Sequence, residues 1–248
     1  MRRMKPLVLF VAVVLLALVL AAASAGCSGE AKREESRAGS ETSARSATEE
    51  KASGKVILMM GRSVMGGWFS HWSGDSTKKT RRRGFELVPL EVSSPPDVVT
   101  SVADRLAEYS GKEDSVAAVY FKFCFDDFAG GGKQEAAESL KEKKAYLRHV
   151  YEQVVEGRKM RLIVGNALPK VKQHTDPFLV ANERQFNEWL AAFASEHQGV
   201  VVFDQYSVLA DEDGSLRAEY ATGPDDSHPN EAGYKALDRA FDELLAEL

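Results

Sequence analysis

Short apolar runs recur along this chain with helical stretches between them, and that alternation restricts the fold more than any other feature. Residues 55–60 (KVILMM) form an almost continuous apolar run closed by Gly61, the pattern of a strand buried on both faces. Residues 85–92 (FELVPLEV) read as a second strand, with Pro89 arguing for an edge or irregular position because proline cannot donate to a ladder. Residues 116–123 (VAAVYFKF), 161–164 and 200–203 supply three more. Helical spacing fills the gaps at residues 97–109, 134–155 and 181–197, and residues 230–248 put Leu237, Phe241, Leu244 and Leu248 on one stripe. Helices joining buried strands imply a parallel sheet covered on both sides. The expected fold class is therefore α/β, a three-layer α/β/α sandwich with about five parallel strands, flavodoxin-like in outline. No internal repeat is present. In such sheets ligands bind at the carboxyl ends of the strands, which directs attention to residues 61–67, 124–127 and 225–228.

The N-terminus has another logic. Arg2, Arg3 and Lys5 precede an uncharged run over residues 7–23, and Ser24, Ala25 and Gly26 lead to Cys27. A basic segment, an apolar segment and small residues ending at a cysteine predict a lipoprotein signal peptide over residues 1–26, with Cys27 carrying lipid. The rival reading is an uncleaved anchor, since the run sits at the short edge of spanning length. Either way the domain is expected outside the cytoplasm, tethered to the cell membrane. Residues 27–54, rich in Ser, Ala, Glu, Arg and Thr and without an aromatic, are expected to be a disordered tether. Residues 55–248 form the folded domain. Removing Arg2, Arg3 and Lys5 takes the net charge from −5 to −8, which gives no support for nucleic-acid binding. With Cys27 lipidated, Cys124 is the only thiol left of the 2 cysteines, so an apolar core and no disulfide must hold the fold.

Two segments could carry chemistry. Ser63 follows the first strand in Gly61-Arg62-Ser63-Val64-Met65-Gly66-Gly67. Glycines on both sides permit a tight strand-to-helix turn that exposes the hydroxyl near free backbone N–H groups, which could hold an oxyanion. Ser63 could equally cap a helix beginning near Val64. The second segment, Asp225-Asp226-Ser227-His228-Pro229-Asn230, lies before the last helix. A carboxylate three residues ahead of a histidine can fix its tautomer and support the cation formed when the ring takes a proton. A solvated helix-entry loop is the plainer alternative.

Taken together, Gly61-x-Ser63 and Asp225-x-x-His228-Pro229-Asn230-x-x-Gly233-Tyr234 resemble the SGNH (GDSL-type) hydrolase family, and the chain looks like a divergent exported lipoprotein member of it. That resemblance implies a serine esterase, lipase or carbohydrate deacetylase on a five-stranded α/β/α fold. It assigns Ser63 as nucleophile, His228 as general base and Asp225 as the orienting acid. The neutral imidazole this requires implies activity that rises with pH through the histidine range. Arg62 stands where the family has aspartate. Cys124-Phe125-Asp126-Asp127 stands where the family has Gly-x-Asn-Asp, whose asparagine donates an amide to the oxyanion. An ionised aspartate offers no donor. Residues 92–96 (VSSPP) likewise replace the family's glycine after the second strand. The resemblance thus implies acid–base machinery with a degraded oxyanion hole. Gly61, Gly66, Asp126, Asp127 and Asn166 are the candidate oxyanion or substrate contacts, with Asn166 a possible substitute for the missing amide.

Other features read as scaffold first. Cys124 among phenylalanines is a small buried hydrophobe before it is a nucleophile. Residues 78–83 (KKTRRR) form a solvated loop or a contact for anionic lipid headgroups or wall polymers. Trp68, Phe69 and Trp72 are the buried face of the first helix or an acyl or sugar subsite. Gly130, Gly131 and Gly132 lack the lysine and hydroxyl of a phosphate cradle. His71, His149, His174 and His197 show no metal-ligand spacing, so no metal and no cofactor is expected. The expected function is a tethered serine esterase or deacylase acting on an acylated small molecule or an O-acyl group of a cell-envelope carbohydrate, working as a monomer. The alternatives are a non-catalytic glycan- or envelope-binding lipoprotein that keeps the fold, or an O-acyltransferase.

Overall fold

The computed structural model describes residues 54–248. The expected signal peptide, Cys27 and all of the tether but Gly54 lie outside the described residues. Six strands form one sheet: β1 (Val56–Gly61), β2 (Thr80–Arg82), β3 (Phe85–Glu91), β4 (Val116–Lys122), β5 (Leu162–Gly165) and β6 (Val200–Phe203), in the order β2-β3-β1-β4-β5-β6. All neighbours are parallel except β2, which runs antiparallel to β3. The five parallel strands are the five apolar runs of the sequence. The short β2 arises inside the basic stretch that reads as a loop.

Pro89 fits without loss. Glu86 donates its N–H to the Lys55 carbonyl, so Phe85, Leu87 and Pro89 turn their backbone the other way, toward β2. β2 ends opposite Leu87, so no strand lies beside Pro89 to miss its hydrogen.

Residues along each inner strand alternate between two apolar layers. Leu58, Met60, Val119 and Phe121 pack under α2 (Val98–Ala107), α3 (Lys133–Tyr151) and α4 (Pro177–Glu196). Ile57, Met59, Ala118 and Tyr120 pack under α1 (Ser63–Ser73) and α6 (Glu231–Ala246). Asp176 caps α4 through the N–H groups of Phe178 and Leu179, with Pro177 in the first helical position, so that helix starts four residues before the apolar periodicity does. A short helix, α5 (Gln205–Leu209), follows β6. A two-stranded ribbon, β7 (Ala221–Gly223) and β8 (Asp226–Pro229), precedes α6.

Asp238 on α6 binds this second layer together. It accepts hydrogen bonds from Trp68 Nε1 and Trp72 Nε1, each at 2.7 Å, while His71 Nε2 and Arg82 Nη1 sit at 3.3 and 3.4 Å. Trp68 and Phe69 are buried, so their role is packing rather than a subsite. Arg82 and Arg83 are drawn onto Asp242, and Lys79 onto Glu86, so half of the basic stretch is spent on the fold.

Candidate active site

β1 ends at Gly61, where a Cβ would stand 3.0 Å from Met65 Cβ, and the chain turns directly into α1. Ser63 is the first residue of that helix and is exposed. The first helical bond runs from Gly66 N–H to the Arg62 carbonyl, so the N–H groups of Ser63, Val64 and Met65 have no partner within the helix. Ser63 Oγ lies 3.9 Å from Cys124 Sγ, and Cys124 is 5% exposed.

β8 brings in the histidine. Side chains two apart on a strand share a face, and here Asp226 and His228 point one way while Ser227 and Pro229 are buried on the other. Asp226 Oδ1 therefore meets His228 Nδ1 at 2.6 Å and also accepts the His228 backbone N–H at 2.9 Å. The pairing of Asp225 with His228 expected from the sequence is corrected by this register: Asp225 sits exposed at the tip of the hairpin, and its neighbour holds the ring. Two hydrogen bonds from His228, the backbone one foremost, hold the Asp226 carboxyl below the usual carboxylate range. An ionised carboxylate only accepts, so Nδ1 carries a hydrogen, and the neutral ring held this way has its lone pair on Nε2.

The serine turn and the histidine strand meet at the same end of the sheet. β8 packs against α1, and Tyr234, in the first turn of α6, donates its hydroxyl to the Val64 carbonyl at 3.3 Å. A Cβ at Gly67 would collide with that hydroxyl, which is why glycine stands there. The His228 ring packs edge-on to Phe125 at 5.1 Å, and Phe125 follows the cysteine that touches Ser63. Among the described residues no hydrogen bond joins Ser63 to His228; the two are linked through neighbours, Cys124 touching the serine and Phe125 the imidazole.

The remaining candidates divide. Asp127 receives Arg62 Nη2 at 2.5 Å on one oxygen and the Cys124 N–H at 2.7 Å on the other. Asp126 is exposed and ion-paired with Lys170 at 2.9 Å. Gly66 walls a cleft of about 430 Å³ that opens beside Ser63, together with Met65, Ser76, Leu90 and Glu91. Asn166 does not reach the serine: its amide donates to Asp204 at 2.7 Å and its oxygen accepts the Tyr206 N–H at 2.8 Å. That corrects the expectation that it replaces the missing oxyanion amide, since both ends of the side chain tie β5 to the segment after β6.

Lys122, which nothing in the periodicity singles out, is the last residue of β4 and 2% exposed. Its Cε lies 3.5 Å from a Cβ built on Gly61, so the amine sits beneath the turn that carries Ser63. Burial lowers its pKa to about 8, with Cys124 and Asp127 opposing and Arg62 reinforcing that shift. Among the described residues no three His, Cys, Asp or Glu side chains are grouped as metal ligands would be.

A sequence model of the GDSL-like lipase/acylhydrolase family matches residues 72–236, two thirds of the chain and a span that takes in the His228 segment. This chain belongs to the GDSL-like lipase/acylhydrolase family. The match begins after Ser63 and does not include the serine turn. Solved GDSL structures show the same architecture. A GDSL-like lipase from Bacteroides thetaiotaomicron is 15% identical and superposes with a TM-score of 0.55 over 86% of this chain and 97% of its own. A catalytic mutant of an acetylxylan esterase from Geobacillus stearothermophilus is 17% identical, with a TM-score of 0.52 over 78% of this chain and 94% of its own. No curated protein sequence matches the chain.

Proposed function

We propose that this GDSL-family chain is a serine esterase held outside the cytoplasm by lipid on Cys27, and that it removes a short O-acyl group from a cell-envelope carbohydrate. The observation that carries the reading is the Asp226–His228 pair, presented by a strand docked against the helix that begins at Ser63. In the proposed reaction His228 Nε2 takes the Ser63 proton as Oγ bonds to the acyl carbon. The tetrahedral intermediate collapses, its C–O bond to the sugar breaks, and the departing oxygen receives the proton from His228. Water, deprotonated by the same ring, then attacks the acyl-serine, releasing the acid and restoring Ser63.

The acyl-carbohydrate part of the reading rests on the likeness to an acetylxylan esterase and on the small cleft of mixed polarity beside the serine, where Arg62, Ser70, Ser76, Thr77 and Glu91 offer polar groups. The test is acetate release from acetylated xylo-oligosaccharide and from O-acetylated cell-wall glycan. Ser63→Ala and His228→Ala should each lower turnover by at least about 10³-fold. Wild-type protein that binds the glycan and releases no acid would favour the binding lipoprotein instead. Incorporation of labelled palmitate that is lost in Cys27→Ala tests the tether.

A further inference from the structure

In the sequence, Asp126 stands where the family resemblance implies an oxyanion-binding asparagine, and in the structure it is exposed and ion-paired with Lys170 at 2.9 Å. We propose that the Arg62 guanidinium takes over oxyanion stabilisation, with Asp127 as its positioning residue; this rests on Ser63 being the nucleophile. Four residues close a ring around the serine. Ser63 Oγ touches Cys124 Sγ at 3.9 Å, Cys124 N–H donates to Asp127 Oδ2 at 2.7 Å, Asp127 Oδ1 accepts from Arg62 Nη2 at 2.5 Å, and Arg62 is bonded through the chain to Ser63. Arg62 borders both clefts at this end of the sheet, the one beside Ser63 and another of about 540 Å³ bounded by Pro95, Pro96, Asp127 and Lys143.

A guanidinium carries five N–H donors in a fixed fork. Asp127 engages one terminal nitrogen, and among the described residues Nε and Nη1 donate to nothing. The side chain is 24% exposed and its partner 6%, so the group is pinned in a partly dry site with donors to spare. A preorganised donor in such a place stabilises charge that appears only in the transition state, and this raises kcat rather than lowering KM. The pinning also neutralises Asp127, which unpaired would repel the oxyanion.

The experiment compares wild type with Arg62→Met, Arg62→Lys and the pair Arg62→Met/Asp127→Asn, which leaves no unpaired buried carboxylate if the single variant fails to fold. Substrates are p-nitrophenyl acetate and a p-nitrophenyl ester whose acyl chain ends in a carboxylate, with a trifluoromethyl ketone as transition-state analogue. Arg62→Met and the double variant should lose about 10²–10³-fold in kcat on both esters with little change in KM. Ketone binding should weaken by the same factor as kcat/KM, and Arg62→Lys should recover part of the loss. Turnover within about twofold of wild type in the folded variants, or a loss confined to KM of the anionic ester, would overturn the proposal. Ser63→Ala is measured alongside: full activity there would sink the nucleophile assignment, whereas a dead Ser63→Ala beside an active Arg62→Met sinks only the role of Arg62.

Discussion

Lys122→Met is expected to make the protein more stable. The lysine is 2% exposed, and its only hydrogen bond among the described residues reaches the Phe123 carbonyl at 3.5 Å, the outer limit for such a contact. An unfolded lysine keeps its proton up to about 10.5, whereas burial makes the folded one give it up near 8. Each pH unit of that difference is worth about 1.4 kcal/mol, so holding the charge costs the fold about 3 kcal/mol at neutral pH. Methionine keeps the stem and removes the charge. The sign follows from proton binding: between about pH 8 and 10.5 the unfolded chain holds a proton that the folded one has released, so the contribution of Lys122 to stability climbs with pH in that window and is flat, at its low value, below it. Urea unfolding of both proteins from pH 7 to pH 10.5 reads this directly. The variant should gain about 3 kcal/mol at pH 7, and the gain should shrink toward zero by pH 10.5. A variant less stable than wild type at pH 7, or a wild-type curve with no rise above pH 8, would refute the reasoning and mean that the ammonium is well compensated where it lies.

Asp226→Asn should lower kcat on the order of 10²–10³-fold, less than for a fully buried triad acid because this carboxylate is partly solvated, while Asp225→Asn stays within about threefold of wild type; the reverse order would restore the partner expected from the sequence. Glu183 on α4 is fully buried with neither carboxylate oxygen hydrogen-bonded, and burial raises its pKa from 4.5 to about 8 against the pull of Lys170. Above pH 4.5 the unfolded chain has released this proton and the folded one keeps it, so wild-type stability should fall by up to about 1.4 kcal/mol per pH unit until about pH 8. Chemical denaturation across that range should show the slope in wild type and its loss in Glu183→Gln.

The sheet was legible because burial on both faces leaves uninterrupted apolar runs, and residues 55–60 and 116–123 could hardly be anything else. β2 and the β7–β8 ribbon were not legible, since strands of three or four residues are specified by their partners rather than by their own pattern. That gap mattered at the site. A loop reading of residues 225–228 gives no reason to prefer Asp226, whereas strand alternation selects it at once. The alternation was visible beforehand in Asp226 and His228 flanking Ser227, with proline next. Lys122 was hidden for a related reason, since a lone lysine ending an apolar strand usually marks where the strand reaches solvent. Here the turn through Gly61 and the loop of Cys124 fold over it. Asn166 shows the converse limit, for position after β5 put it at the correct edge of the sheet and only the contacts with Asp204 and Tyr206 gave its direction.

Labelling with a fluorophosphonate, which reacts only where a base activates a serine, tests the account at its root. Wild-type protein should become covalently modified at Ser63, with labelling abolished in Ser63→Ala and severely slowed in His228→Ala. Undiminished labelling of Ser63→Ala, or a wild type that never labels, would contradict a catalytic serine at the start of α1.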